Sequence, residues 1–153
     1  KLQGQINLWN ELIQTTQLTN NSNTTLTNIS DLAFNVFAGN RYRIEAMLMY
    51  QSAATTSGLA LTLSFTGSGE LAAKATMSQA GDGTDAEHTG NITTSGDIVT
   101  ASGTSQSNTS LLAKIEGIFV CTSSGTMTPQ FRSEKNGQTV TVRAGSNIIV
   151  REF

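Results

Sequence analysis

The one histidine, His88, lies in Asp82-Gly83-Thr84-Asp85-Ala86-Glu87-His88, where three carboxylates stand within six residues of an imidazole. Two chemistries use such a set. A Ser-His-Asp triad needs the imidazole held by a buried carboxylate beside an activated serine, and a Gly-rich polar stretch is poor support for that geometry. A zinc site needs three or four Cys, His or carboxylate ligands at defined spacing, which one His and one Cys cannot supply. Asp82 and Asp85 share the opening of a calcium loop, but the twelve-residue spacing and its closing Glu are missing. The stretch therefore reads as a solvated loop. Cys121 follows Phe119 in an apolar run and reads as a small buried hydrophobe rather than a nucleophile. Trp9 could stack on a sugar, yet beside Leu8 and Leu12 it reads as packing. No phosphate-cradling glycine motif is present, and the five N-x-[ST] sequons, at Asn20, Asn23, Asn28, Asn91 and Asn108, are what a chain this rich in Asn, Ser and Thr produces by chance. The sequence assigns no catalytic residue, no metal ligand and no cofactor.

Composition says what the remaining residues are for. Charged residues are 13% of the 153 and the net charge is −2, so neither nucleic acid nor an anionic membrane surface has a basic patch to meet. No apolar run approaches the ~18 to 20 residues of a membrane-spanning helix, and no signal peptide is visible. A lone cysteine rules out an intrachain disulfide and leaves the redox compartment open. The start on Lys1 rather than Met suggests the C-terminal piece of something longer or processed. Thr suits pleated, half-buried surfaces, while Gly, Asn and Ser serve turns. The balance is all-β.

The periodicity agrees. Tyr42, Ile44, Ala46, Leu48 and Tyr50 share one face of RYRIEAMLMY, and Leu59, Leu61, Leu63 and Phe65 share one face of LALTLSF. Leu26, Ile29, Leu32, Phe34 and Val36 predict an earlier strand closed by Ala38-Gly39-Asn40. ITTSGDIV, LLAKIEGIFVC and TMTPQFRS predict later strands. Asn136-Gly137 predicts a type I′ hairpin, because both central residues of that turn need positive φ. The final stretch TVTVRAGSNIIVREF predicts a closing strand pair about Ala144-Gly145-Ser146, tied into a sheet because free chain ends fray. Residues 66–90 are Gly-rich and polar, and predict an extended excursion or a loosely paired edge. Residues 1–18 carry Leu8, Trp9, Leu12 and Ile13 on one helical stripe, and a short helix or a strand leading into the sandwich both fit. The expectation is a lead-in over 1–18 and one domain over 19–153: an antiparallel, jelly-roll-like β-sandwich of about eight strands. Its core would hold Tyr42, Ile44, Leu48, Leu61, Leu63, Phe65 and Phe119.

One pattern exceeds a generic sandwich. A sheet with one wet face alternates cleanly, yet Met47 and Met49 stand opposite Ile44 and Leu48, and KIEGIFV adds Ile118 and Val120 in a strand that also carries Ile115 and Phe119. Apolar residues on both faces imply a second cover, and in a chain this size that cover is another copy. The candidate interface is Met47, Met49, Ile118 and Val120, with Arg43 and Glu45 as its polar rim.

The run NNSNTTLTNISDLAFNVFAGNRYRIEAMLMYQSAATTSGLALTLSF is similar to a segment of structural proteins of tailed bacteriophages, in which an Asn/Thr-rich strand leads to D-x-x-F-x-V-x-A-G-x-x-Y, a long strand ending in Tyr, and a small-residue SAATTTG loop. Here the matching residues are Asp31, Phe34, Val36, Ala38, Gly39, Tyr42 and Tyr50, followed by 52–58. Val142-Arg143-Ala144-Gly145-Ser146 resembles the V-x-A-G-S that closes such domains. The likeness covers residues 20–65 and 111–153. It implies a virion location and a structural role in a tail, fibre or capsid-decorating component, with other virion proteins as partners and a homotrimer as the assembly. Two other readings stand beside it. A receptor- or carbohydrate-binding module for a host surface glycan would show an exposed aromatic-and-carboxylate cluster on loops. A hydrolase of host glycans would show a close carboxylate pair in a cleft. The sequence displays neither cluster.

Overall fold

Alternating apolar and polar residues give an extended chain one apolar face, and that face must be buried against another layer. The computed structural model, which describes residues 9–79 and 86–153, meets that demand with two antiparallel sheets packed face to face. Along the chain, β1 (Trp9–Ile13) and β2 (Leu18–Asn20) are short, and β3 (Thr27–Asn28) and β4 (Phe34–Val36) flank a 3-10 turn at Ser30–Leu32. There follow β5 (Arg41–Ser52), β6 (Leu59–Phe65), β7 (Ser68–Gln79), β8 (Ala86–Ile92) and the two-residue β9 (Val99–Thr100). The chain closes with β10 (Leu111–Ser123), β11 (Gly125–Ser133), β12 (Val140–Val142) and β13 (Asn147–Glu152).

The large sheet runs β1-β13-β5-β10-β7-β8, with β12 paired to β5 and β2 to β12; the small sheet runs β3-β11-β6-β9, with β4 also on β11. Three strands are interrupted: β1 with β2, β3 with β4, and β12 with β13. Setting the β7–β8 hairpin aside leaves eight strand positions. The first, eighth, third and sixth form one sheet, and the second, seventh, fourth and fifth form the other. This is the double Greek key of a jelly roll, extended at one edge by a hairpin. The thirteen described strands are thus an eight-position fold with three positions cut by bends, plus the two strands of the hairpin.

Between the sheets lie Ile44, Leu48, Tyr50, Leu61, Leu63, Ile115, Phe119 and Phe131, all fully buried, with Tyr42 nearly so. Phe65, read as core, is half-buried and packs its ring on Phe119 at 4.9 Å between centroids. Cys121 is buried, as its apolar strand requires.

Of the two readings left open at the N-terminal segment the strand holds, and four other local expectations change. Residues Trp9–Ile13 form a strand on β13, so no helix crosses them; residues 1–8 lie outside the described residues. The strand read through Leu26–Val36 breaks, because Ile29 and Leu32 are both buried and a spacing of three cannot share one face of a strand; one 3-10 turn brings i and i+3 to the same side. ITTSGDIV breaks at Thr93–Asp97, where the Asp97 carboxylate accepts the backbone N–H groups of Thr93 and Thr94, so Ile92 and Val99 belong to different sheets. Asn136-Gly137 is not a hairpin turn. Only Gly137 has positive φ (79°), Gln138 N–H donates to the Lys135 carbonyl at 3.3 Å, and the turn carries the chain from the small sheet to the large one. A single positive φ at the third residue is the type II pattern. Residues 68–79, read as part of an excursion or loose edge, form a twelve-residue strand paired to β10 on one side and β8 on the other, with Leu71, Ala73, Ala75 and Met77 turned inward; β8 is the edge.

The closing pair is also different. β12 and β13 do not pair with each other; they lie end to end along β5, against Tyr50–Ser52 and Tyr42–Met47. Arg143–Ser146 is a bulge in one interrupted strand. β1 and β2 follow it on the far side with a matching break, where Gln14 N–H donates to the Ser146 carbonyl (2.7 Å) and Gly145 N–H to the Gln14 carbonyl (2.8 Å).

Candidate assembly face

Residues directly opposite across an antiparallel pair share a face, so the register reads off the outer surface of the large sheet. One row holds Arg151, Arg43, Ile118 and Ala72; the next holds Ile149, Glu45, Glu116 and Lys74; a third holds Ile13, Asn147, Met47 and Lys114; Met49 faces Leu112 beyond it. All six residues singled out in the sequence lie here, with Val120 opposite Arg41 and Glu70. They do not make one patch. Met47 and Met49 group with Leu112 and Ile13, while Ile118 and Val120 stand apart, beyond the row of Glu45, Glu116 and Lys74.

Exposure separates this face from the opposite surface of the molecule. Among the described residues eight large hydrophobic side chains are exposed, and five are on this face: Ile13 and Leu112 (each 53%), Ile118 (49%), Met47 (47%) and Met49 (40%). The outer face of the small sheet carries Ser64, Thr126, Thr128, Gln130 and Arg132 instead, with Thr62 buried beneath. One outer surface is polar and the other is apolar with charges, although both belong to the same fold.

The charged row has its own cost. Glu45 and Glu116 are cross-strand neighbours, and like charges placed so repel. Arg43 relieves the first by an ion pair with Glu45, and Lys74 stands opposite the second. Small Ala72 beside them leaves a shallow groove over the row. This carboxylate pair lies on an open sheet face.

His88 lies not in a loop but in the edge strand β8, opposite Met77. Asp82 and Asp85 lie outside the described residues. Among the described residues no three His, Cys, Asp or Glu side chains gather to hold a metal, and no helix is long and apolar enough to cross a membrane. Cys121 donates its S–H to the Ser123 carbonyl at 3.2 Å. Sequence reading missed Ile13, Leu112, Ile149, Lys74 and Glu116 on the face. Ile13 stands in a segment whose apolar spacing fits helix and strand alike, and the other four enter only through cross-strand register.

No protein-family model matches the sequence, and no curated protein matches it. Among solved structures the chain is similar to the infectious bursal disease virus VP2 subviral particle (14% identity, TM-score 0.27) and to infectious bursal disease virus Gx strain (12% identity, TM-score 0.31). The matches cover 96% and 97% of this chain, and the chain spans about two-fifths, 40%, of each of those proteins.

Proposed function

We propose that this chain is a non-enzymatic structural module of a virion, in a tail, fibre or capsid-decorating component of a tailed bacteriophage. In this reading it associates with copies of itself, as a trimer, and with other virion proteins. The observation that carries self-association is the contrast between the two outer faces: Met47, Met49, Leu112 and Ile13 stand in water on one, while the other is polar. An apolar patch of that kind invites a partner, and Met adapts to irregular surfaces. The area suits it. Four strands at ~4.8 Å spacing and about ten residues at ~3.3 Å rise give a plane of roughly 600 Å², before side-chain relief, against ~800 Å² per partner in a standard interface. The alternation of a cationic row (Arg43, Arg151) with an anionic one (Glu45, Glu116) lets a second copy pair opposite signs. A closed ring satisfies every copy equally. The virion and the number three rest on the resemblance of residues 20–65 and 111–153 to phage structural proteins.

Light scattering over a range of concentrations tests this. The wild-type chain of 16.2 kDa is expected to scatter at three times that mass, and Met47→Asp, an exposed substitution, should return it to monomer with its fold intact. A wild-type monomer at high concentration, or an oligomer indifferent to Met47→Asp, refutes the assignment of this face.

A further inference from the structure

A cleft of about 220 Å³ opens at the sandwich edge, between β1 and β13 of the large sheet and β4 with the turn after it. Its walls are of two kinds. Phe34 and Val150 supply apolar surface, and Phe37 adds a ring that is 55% exposed. The polar groups stand opposite with unused valences. Tyr42, only 3% exposed, accepts the Phe37 N–H at 2.8 Å and an Asn40 amide hydrogen at 3.5 Å, and no acceptor among the described residues takes its own proton. Glu152 accepts from Asn40 with Oε1 (2.9 Å), which leaves Oε2. Asn35 accepts from Thr126 with Oδ1 (3.1 Å), which leaves its two N–H donors. The Asn10 side-chain amide has neither donor nor acceptor engaged among the described residues.

We propose that this cleft is a saccharide subsite that takes one neutral pyranose ring of a glycan. The chemistry of the walls selects that class. An apolar ligand would strand the buried Tyr42 hydroxyl and the amides, each at a cost. Among the described residues no Lys or Arg lines the cleft and Glu152 does, so an anionic ligand is repelled. A pyranose has hydroxyls around its edge, each able to donate and accept, and C–H groups on its faces. The C–H face matches an aromatic ring, whose face is the negative end of its quadrupole. The hydroxyls match a site that mixes donors (Tyr42, Asn35) with an acceptor (Glu152). Pockets with apolar walls and a few convergent polar groups are where small ligands bind. Asn10 and Glu152 come from opposite ends of the chain and Phe37 from between them, which is why no sequence window displays the cluster. The proposal is independent of the assembly face, since none of these residues lies on it.

Saturation-transfer NMR and calorimetry of the whole chain test it, with glucose, galactose, mannose and N-acetylglucosamine as probes and sialic acid and choline as charged controls. At least one neutral sugar is expected to bind, and Phe37→Ala should weaken it by at least about tenfold with an unchanged melting temperature, because the ring is half in water. Asn10→Ala should weaken binding in the same direction, and Met47→Asp should leave it intact whatever it does to assembly. Four results overturn the proposal: no neutral sugar bound, binding of a charged control alone, wild-type affinity in Phe37→Ala, or a crystal structure with the chain's own residues before Trp9 seated in the cleft.

Discussion

Replacing Ser146 by alanine removes one oxygen from the place where the last strand breaks. Between β12 and β13 the chain bulges away from β5, and the ladder is carried across the gap by two groups. Arg143 N–H donates to the Met49 carbonyl at 2.8 Å, and the Ser146 hydroxyl accepts the Met49 N–H at 3.0 Å. The hydroxyl proton goes to the Arg143 carbonyl at 2.8 Å. In the alanine variant that carbonyl keeps the Ser146 N–H (3.3 Å), and the Met49 carbonyl keeps Arg143. One group is stranded, the Met49 N–H. Ser146 is 1% exposed, so water does not reach the vacated position. An unsatisfied buried donor costs ~1–3 kcal/mol, and about 2 kcal/mol lowers the melting temperature of a chain this long by roughly 4–8 °C. Urea unfolding should show a lower midpoint at constant slope, and hydrogen exchange should show the Met49 amide losing protection. Ser110→Ala, at an exposed hydroxyl that accepts from Gln51, should stay within about 0.5 kcal/mol of wild type. A Ser146→Ala change below about 0.5 kcal/mol, with Met49 still protected, would refute the claim that this hydroxyl replaces a missing rung.

Leu61 is fully buried in β6 between Phe131 and Val99 on its neighbouring strands. Leu61→Ala should cost ~2–5 kcal/mol in denaturant melts, and a loss under half a kilocalorie would mean the core lies elsewhere. Backbone N–H groups of Thr93 and Thr94 hold the Asp97 carboxyl down from 3.8 to about 2. A carboxyl lowered on folding stabilises above its unfolded value, and the effect disappears as pH falls through the folded one. The melting temperature should therefore drop between pH 4 and 2. Asp97→Asn, which still accepts the bonds but does not titrate, should show a shallower drop; an identical acid slope in the variant would count against the role of Asp97. Asp31, lowered by its hydrogen bonds from Thr15, accounts for part of the remaining slope in the same direction.

The amino-acid order determined, by itself, what depends on near neighbours. Side chains alternate along any extended chain, so Tyr42 to Tyr50 on one face and Met47 with Met49 on the other were legible without knowing what either face meets. The same holds for β10, β11 and the burial of Cys121. The tertiary structure alone decided what depends on distant partners. Asn136-Gly137 has the residues of a hairpin turn, yet the chain changes sheets there because β12 finds β5 rather than β11. Ala144-Gly145-Ser146 bulges rather than reverses because β5 is long enough to hold both segments in line. Ile29 and Leu32 leave strand phase because both are needed in one core. Glu45 faces Glu116, and Met49 faces Leu112, only through the β5–β10 register, and Glu152 reaches Asn10 and Phe37 only because the last strand lies between the first and the fifth. Pairing partners far apart in sequence are selected by how well whole faces bury each other, a sum over the molecule that no short window contains.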